Sequence, residues 1–132
     1  MALFKNDTGT DNTAVGSQTL LNNTGSGNTA VGAEALEFNT TNDFNTAVGS
    51  DALQVNDTGG ANTAVGSAAL DQNITGSNNI ALGHSAGSQV GTSAAGSDNI
   101  EIGNVGGGFD TGTIRIGTQG TQGPPLLLAL PG

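Results

Sequence analysis

The sequence has no cysteine, tryptophan or tyrosine, and its only aromatic residues are four phenylalanines. Without cysteine there are no disulfides, no thiolate metal sites and no cysteine nucleophile. Basic residues are nearly missing as well: Lys5 and Arg115 stand against eleven carboxylates, for a formal charge of −9. Counterion release by Lys and Arg drives nucleic-acid binding, so nucleic acid is excluded as a partner, and an anionic membrane surface with it. The longest apolar run, Leu126–Leu130, is far short of the roughly 20 residues of a membrane-spanning helix. Met1–Asp7 has no basic stretch followed by an apolar one, as a secretory signal would. Among 132 residues there are 23 glycines and only 10% charged residues. This composition is too poor in large apolar residues for a conventional core, and it would read as disorder were the apolar residues not in register.

What is present is a repeat. Asn12-Thr13-Ala14-Val15-Gly16 returns at Asn28, Asn45 and Asn62, and in divergent form at Asn79-Ile80-Ala81-Leu82-Gly83, Asn99-Ile100-Glu101-Ile102-Gly103 and Thr113-Ile114-Arg115-Ile116-Gly117. Successive copies start 16, 17, 17, 17, 20 and 14 residues apart. A second series lies between them: Ala2-Leu3, Thr19-Leu20, Ala35-Leu36, Ala52-Leu53 and Ala69-Leu70, each followed by an Asn-x-Thr triplet starting at Asn6, Asn22, Asn39, Asn56 or Asn73.

Asn, Thr, Gly and Ser are poor helix formers and good turn formers, and the unit is too short for a helical hairpin. It fits a coil of strand, Gly turn, second short strand and Asn/Thr/Gly turn. The expectation is an all-β parallel roll of about seven coils of 14–20 residues, over residues 1–122, with a Pro/Leu-rich tail at 123–132. At ~4.8 Å per coil the stack would rise roughly 34 Å. The glycines at 16, 32, 49, 66, 83, 103 and 117 share one phase, as a positive φ or a close backbone approach requires.

Period-two alternation divides each strand between two faces. In Ile80-Ala81-Leu82, Ile100-Glu101-Ile102 and Ile114-Arg115-Ile116 large apolar residues flank a middle position that accepts Ala, Glu or Arg. The flanking residues, including Thr13 with Val15, are therefore expected inside. The middle series Ala14, Ala30, Ala47, Ala64 and Ala81 is expected outside, as a small apolar face for subunit contact. A roll so narrow encloses little core, and oligomerisation compensates for that.

The stretch Asn79–Gly87, with its Asn-Thr-Ala-Val-Gly relatives, resembles the head repeats of trimeric autotransporter adhesins and the β-roll regions of bacterial and phage tail-fibre-like proteins. In the latter such coils precede a segment similar to Ile114–Gln122. The resemblance covers residues 2–122 and implies a left-handed parallel β-roll that forms a homotrimer. It also implies an extracellular, cell-surface or virion setting and a role in surface display or adhesion. No stalk heptads, anchor strands or chaperone domain follow here. Because Ala2–Asn12 aligns with Ala52–Asn62 without a gap, the coil begins mid-repeat, and the alternative is a filament subunit stacking end to end.

No catalytic, cofactor-binding or metal-ligating residue is assigned, and the expectation is a protein that is not an enzyme. His84 is the single histidine and follows a repeat glycine, which makes it a surface turn residue rather than a general base. Gly106-Gly107-Gly108-Phe109-Asp110 echoes a calcium-binding nonapeptide only once. The Asn-x-Thr triplets match the glycosylation sequon but read better as Asx-turns. Thr24, Thr41, Thr58 and Thr75 form one row, too narrow to favour ice binding. A surface ligand, if bound, would meet the turns at Thr40–Phe44 and Ser88–Gly96, where Phe44 is the lone aromatic.

Overall fold

The computed structural model describes residues 1–90 and 96–117. The expected tail at 123–132, residues 118–122 of the repeat region and residues 91–95 of the Ser88–Gly96 turn lie outside them.

The chain winds as a parallel β-solenoid. Seven strands of three residues each form one sheet in sequence order: β1 (Thr13–Val15), β2 (Thr29–Val31), β3 (Thr46–Val48), β4 (Thr63–Val65), β5 (Ile80–Leu82), β6 (Ile100–Ile102) and β7 (Ile114–Ile116). Each strand pairs with the next at the same repeat position, so Ala14 lies beside Ala30, Ala30 beside Ala47, and Glu101 beside Arg115. One strand per coil gives about six complete turns among the described residues.

The two faces of this sheet are the reverse of the expected ones. Ala30, Ala47, Ala64 and Ala81 are fully buried, and the flanking Val15, Val31, Val48, Val65, Ile80, Leu82, Ile114 and Ile116 are exposed. The reason is steric. The opposite wall of the coil sends Leu20, Leu36, Leu53 and Leu70 inward, together with Ala35, Ala52, Ala69 and Ala86. Across from a row of leucines there is room for a methyl group and nothing larger, so the strands turn their small residue in and their large residues out.

A second strand per coil is also absent in this part of the chain. Leu3, Leu20, Leu36, Leu53 and Leu70 have φ between 49° and 51°, the left-handed region, so the Ala-Leu segments are turns. They still bond coil to coil: Leu20 N–H donates to the Ala35 carbonyl at 3.0 Å, Leu36 to Ala52 at 3.1 Å and Leu53 to Ala69 at 2.9 Å. Among the described residues only Phe38 and Val55 form a β-bridge on that side. A left-handed conformation at a non-glycine residue costs ~1–2 kcal/mol. The coil tolerates it because that φ aims each leucine into the interior, where its burial offsets the strain.

The glycine phase is borne out. Gly16, Gly32, Gly49 and Gly66 have φ of 138–140°, and a β-carbon at Gly49 would lie 2.5 Å from the Gly66 carbonyl oxygen. No side chain fits between coils that close.

Two asparagine ladders complete the interior. In one, Asn23 Nδ2 donates to Asn6 Oδ1 at 2.9 Å, Asn39 to Asn23 at 2.7 Å, Asn56 to Asn39 at 2.9 Å and Asn73 to Asn56 at 2.9 Å. In the other, the backbone N–H of Asn28, Asn45, Asn62, Asn79 and Asn99 donates to the side-chain oxygen of the ladder asparagine one coil before, at 2.9–3.0 Å. Buried amides are costly unless paired; here each coil provides the partner for the next. The second coil corrects the expected phase: Asn23, not Asn22, occupies the ladder, and its triplet has lost the middle residue, leaving Asn23-Thr24-Gly25.

Candidate assembly face and the C-terminal ion pair

The outward face of the sheet carries two parallel ranks. One runs Thr13, Thr29, Thr46, Thr63, Ile80, Ile100 and Ile114, the other Val15, Val31, Val48, Val65, Leu82, Ile102 and Ile116, both set by the register of the strand pairs. Neither rank contains a charged residue. Val31, Val48 and Val65 are 36–38% exposed, and Ile114 and Ile116 reach 64% and 65%. A continuous aliphatic stripe along a whole sheet is what a soluble monomer avoids and what an interaction surface presents.

The Ala ladder, expected to make the subunit contact, cannot do so, being inside the coil at 0–1% exposure from Ala30 to Ala81. The strand threonines Thr29, Thr46 and Thr63, expected inside with the other flanking residues, lie on the outer side of the sheet with the valines.

At the last two rungs the inward position changes from alanine to Glu101 and Arg115. The coil makes room for the longer side chain on the opposite wall. Leu70 is followed in its ladder by Gly87, Val90 fills the core beside it, and a β-carbon at Gly106 would come within 3.4 Å of the Glu101 carboxyl carbon. The Glu101 side chain is 1% exposed. Arg115 Nη1 lies 3.5 Å from Glu101 Oε1 and is paired with Asp110 as well. Neither Glu101 oxygen accepts a hydrogen bond. Burial pushes the Glu101 carboxyl up to about 7, and Arg115 pulls it back only in part. The sequence pattern places this position outward; the signal that distinguishes it is Gly87 standing where the ladder's next leucine would be.

The remaining candidates fall as follows. His84 is exposed and touches Ser85 Oγ at 3.3 Å. Asp110, the one carboxylate of the calcium-like segment, accepts from the Gly107 N–H at 2.6 Å and pairs with Arg115. Among the described residues no group of three or more His, Asp or Glu side chains is placed to hold a metal ion. Asn39, Asn56 and Asn73 of the triplets are fully buried with their amides engaged. They act as turn and ladder residues, and a glycan on those nitrogens is incompatible with the coil. Thr24, Thr41, Thr58 and Thr75 are exposed in a single row, with Thr24 N–H bonded to the Thr40 carbonyl and Thr58 N–H to the Ile74 carbonyl. Phe44 in the Thr40–Phe44 turn is 70% exposed, and Phe38 44%.

No family model, curated protein or solved structure matches the chain.

Proposed function

We propose that this chain is a structural repeat module of an extracellular or virion fibre. In this reading it winds left-handed, assembles as a homotrimer and serves surface display or adhesion without catalysis or cofactor. The observation that carries the proposal is the uncharged Thr/Val-to-Ile/Leu face running the full height of the sheet. Such a face is satisfied by another copy of itself: identical ranks at the same coil spacing interdigitate rung by rung, and buried aliphatic surface stabilises by ~25 cal/mol per Å². The composition supports a scaffold over a catalyst, since the chemistry-bearing side chains are either solvated or used to hold one coil to the next.

Trimerisation also resolves the thinness of the roll. Its own interior is one leucine and one alanine deep, and three copies sharing their outer ranks would add a second, intersubunit core. Adhesive contacts would then be made by the turns on the far side, around Phe38 and Phe44.

Sedimentation equilibrium of the purified chain tests the reading. Three chain masses, independent of protein concentration in the micromolar range, are expected; a folded monomer overturns it. Electron microscopy of the same sample distinguishes discrete short particles, expected for a fibre segment, from the long filaments that end-to-end stacking of coils would produce.

A further inference from the structure

We propose that Glu101, Arg115 and Asp110 form a proton-operated fastening that holds the last two described strands together when Glu101 is protonated and loosens them when it is not. The inference does not depend on the fibre reading and stands on geometry. Every preceding inward rung from Ala30 to Ala81 is a buried methyl group, and hydrogen bonding between those coils involves no ionisable side chain at that position. At β6 the same position holds a carboxyl group with 1% of its side chain exposed.

The surroundings of that carboxyl determine which protonation state the fold prefers. From β5 it meets the Ala81 rung, from the 86–90 segment Val90, and from the following loop Gly106, none of which is polar in its side chain. From β7 comes Arg115, at 3.5 Å, and from the 107–110 turn comes Asp110. No other titratable or charged group faces it among the described residues; His84 lies exposed in the turn after β5. Arg115 therefore has two carboxylate partners. With Glu101 neutral, the guanidinium keeps its ion pair with Asp110 and the carboxyl sits in its apolar slot without a charge to solvate. With Glu101 ionised, a charge is buried with neither oxygen hydrogen-bonded, and one guanidinium is shared between two carboxylates.

The direction with pH follows from linkage. A carboxyl group that titrates higher in the folded strands than in the open ones gives them stability that is fully present below the open-state range, near 4.5, and is lost as pH rises through about 7. The β6–β7 pair is thus tightest in acid and loosest at neutral and alkaline pH. That is the reverse of the usual behaviour of a salt-bridged carboxylate.

Amide hydrogen exchange, corrected for the intrinsic pH dependence of exchange, tests this between pH 4 and 8. Protection of the β6 and β7 amides is expected to fall on the order of a hundredfold over that range, each pH unit between the two titration points contributing up to tenfold, with β2–β4 unchanged. Glu101→Gln is expected to keep the high, acid-like protection at every pH. Flat protection in β6 and β7, a rise with pH, or a slope that persists in Glu101→Gln each overturns the proposal. If Glu101→Gln does not fold, a carbon-13 titration of the Glu101 carboxyl in the unmodified protein decides: a midpoint well above 4.5 supports the fastening, and one at or below 4.5 overturns it.

Discussion

The first four strands and the last three solve the same packing problem in opposite ways. From β1 to β4 the sequence is Thr-Ala-Val throughout, with a methyl facing a leucine inside and a mixed polar and apolar pair outside. From β5 to β7 it becomes Ile-Ala-Leu, Ile-Glu-Ile and Ile-Arg-Ile. There the outer pair turns wholly aliphatic, while the inner position becomes charged at β6 and β7 and the leucine wall gives way to Gly87 after Leu70. The upper coils are a regular stack in which each rung is interchangeable with its neighbours. The lower ones are individual, each side chain fitted to a specific vacancy across the coil. Regularity keeps the upper coils interchangeable; individuality coincides with the part of the outer face that is most apolar.

The largest effect is expected from disturbing the regular stack. Asn56 donates to the Asn39 side chain and the Gly59 carbonyl and accepts from Asn73. Asn56→Leu takes one bond from each of these three buried partners, at ~1–3 kcal/mol each; chemical denaturation should show a loss of several kcal/mol or no folded protein. Asn104 bonds at the lower end to the Gly117 carbonyl and the Gly106 N–H and is 5% exposed. Asn104→Leu should cost less than half as much, because Asn104 makes two bonds, both to backbone, and carries no side-chain ladder bond to another asparagine. Equal losses would erase the distinction between the two regions.

Next in size is an exchange of the inward residues. Ala64→Glu places a carboxylate among Leu53, Leu70 and their alanines, with no cation in reach and no glycine opposite. A loss of more than ~3 kcal/mol is expected at pH 8. Glu101→Gln should do the opposite. It removes a charge that the fold disfavours, so at pH 8 it should raise stability by about 2–3 kcal/mol, and by nearly nothing at pH 4, where the carboxyl is neutral in both states. Denaturant midpoints for the two variants at the two pH values check both signs.

The smallest expected effect concerns the left-handed turn residue that precedes each ladder asparagine. Gly27 holds that position with φ of 67°, whereas Ala61 holds it with φ of 57°. Ala61→Gly relieves that strain at an exposed site and should be neutral or stabilising by up to ~1 kcal/mol. The same change at Ala64, where the methyl fills the core, should be destabilising. A thermal melt of the pair is sufficient.

Much of this architecture is legible in the chain before any coordinates. Phase identity of the glycines announces the close approach of coils, and Asn-Thr-Gly clusters announce the turns, because those residues have few other uses at fixed spacing. The single-residue slip between Asn22 and Asn23 shows the limit: two adjacent asparagines carry the same propensity, and only the deleted triplet residue reveals which one stacks. The inside–outside assignment failed for a deeper reason. Large aliphatic residues were read as core, which holds when the interior is wide. In a coil whose opposite wall already projects leucines, the strand's inward position takes a methyl group, and the larger aliphatic residues go to the outer face. The second strand was misjudged because nothing in Ala-Leu signals a left-handed φ at leucine. Glu101, in turn, looked like an outward residue because its compensating glycines lie elsewhere in the sequence.

The central claim is that the outer ranks of the sheet are buried in an assembly of identical chains. With no native cysteine, single thiols report on this directly. Val48→Cys places one in the middle of the face, and Thr58→Cys places one in the exposed turn row away from it. The account predicts that a maleimide reagent labels Cys-substituted position 58 at once and position 48 at least tenfold more slowly until the assembly is dissociated. Equally fast labelling at both positions, in a folded sample, would contradict it.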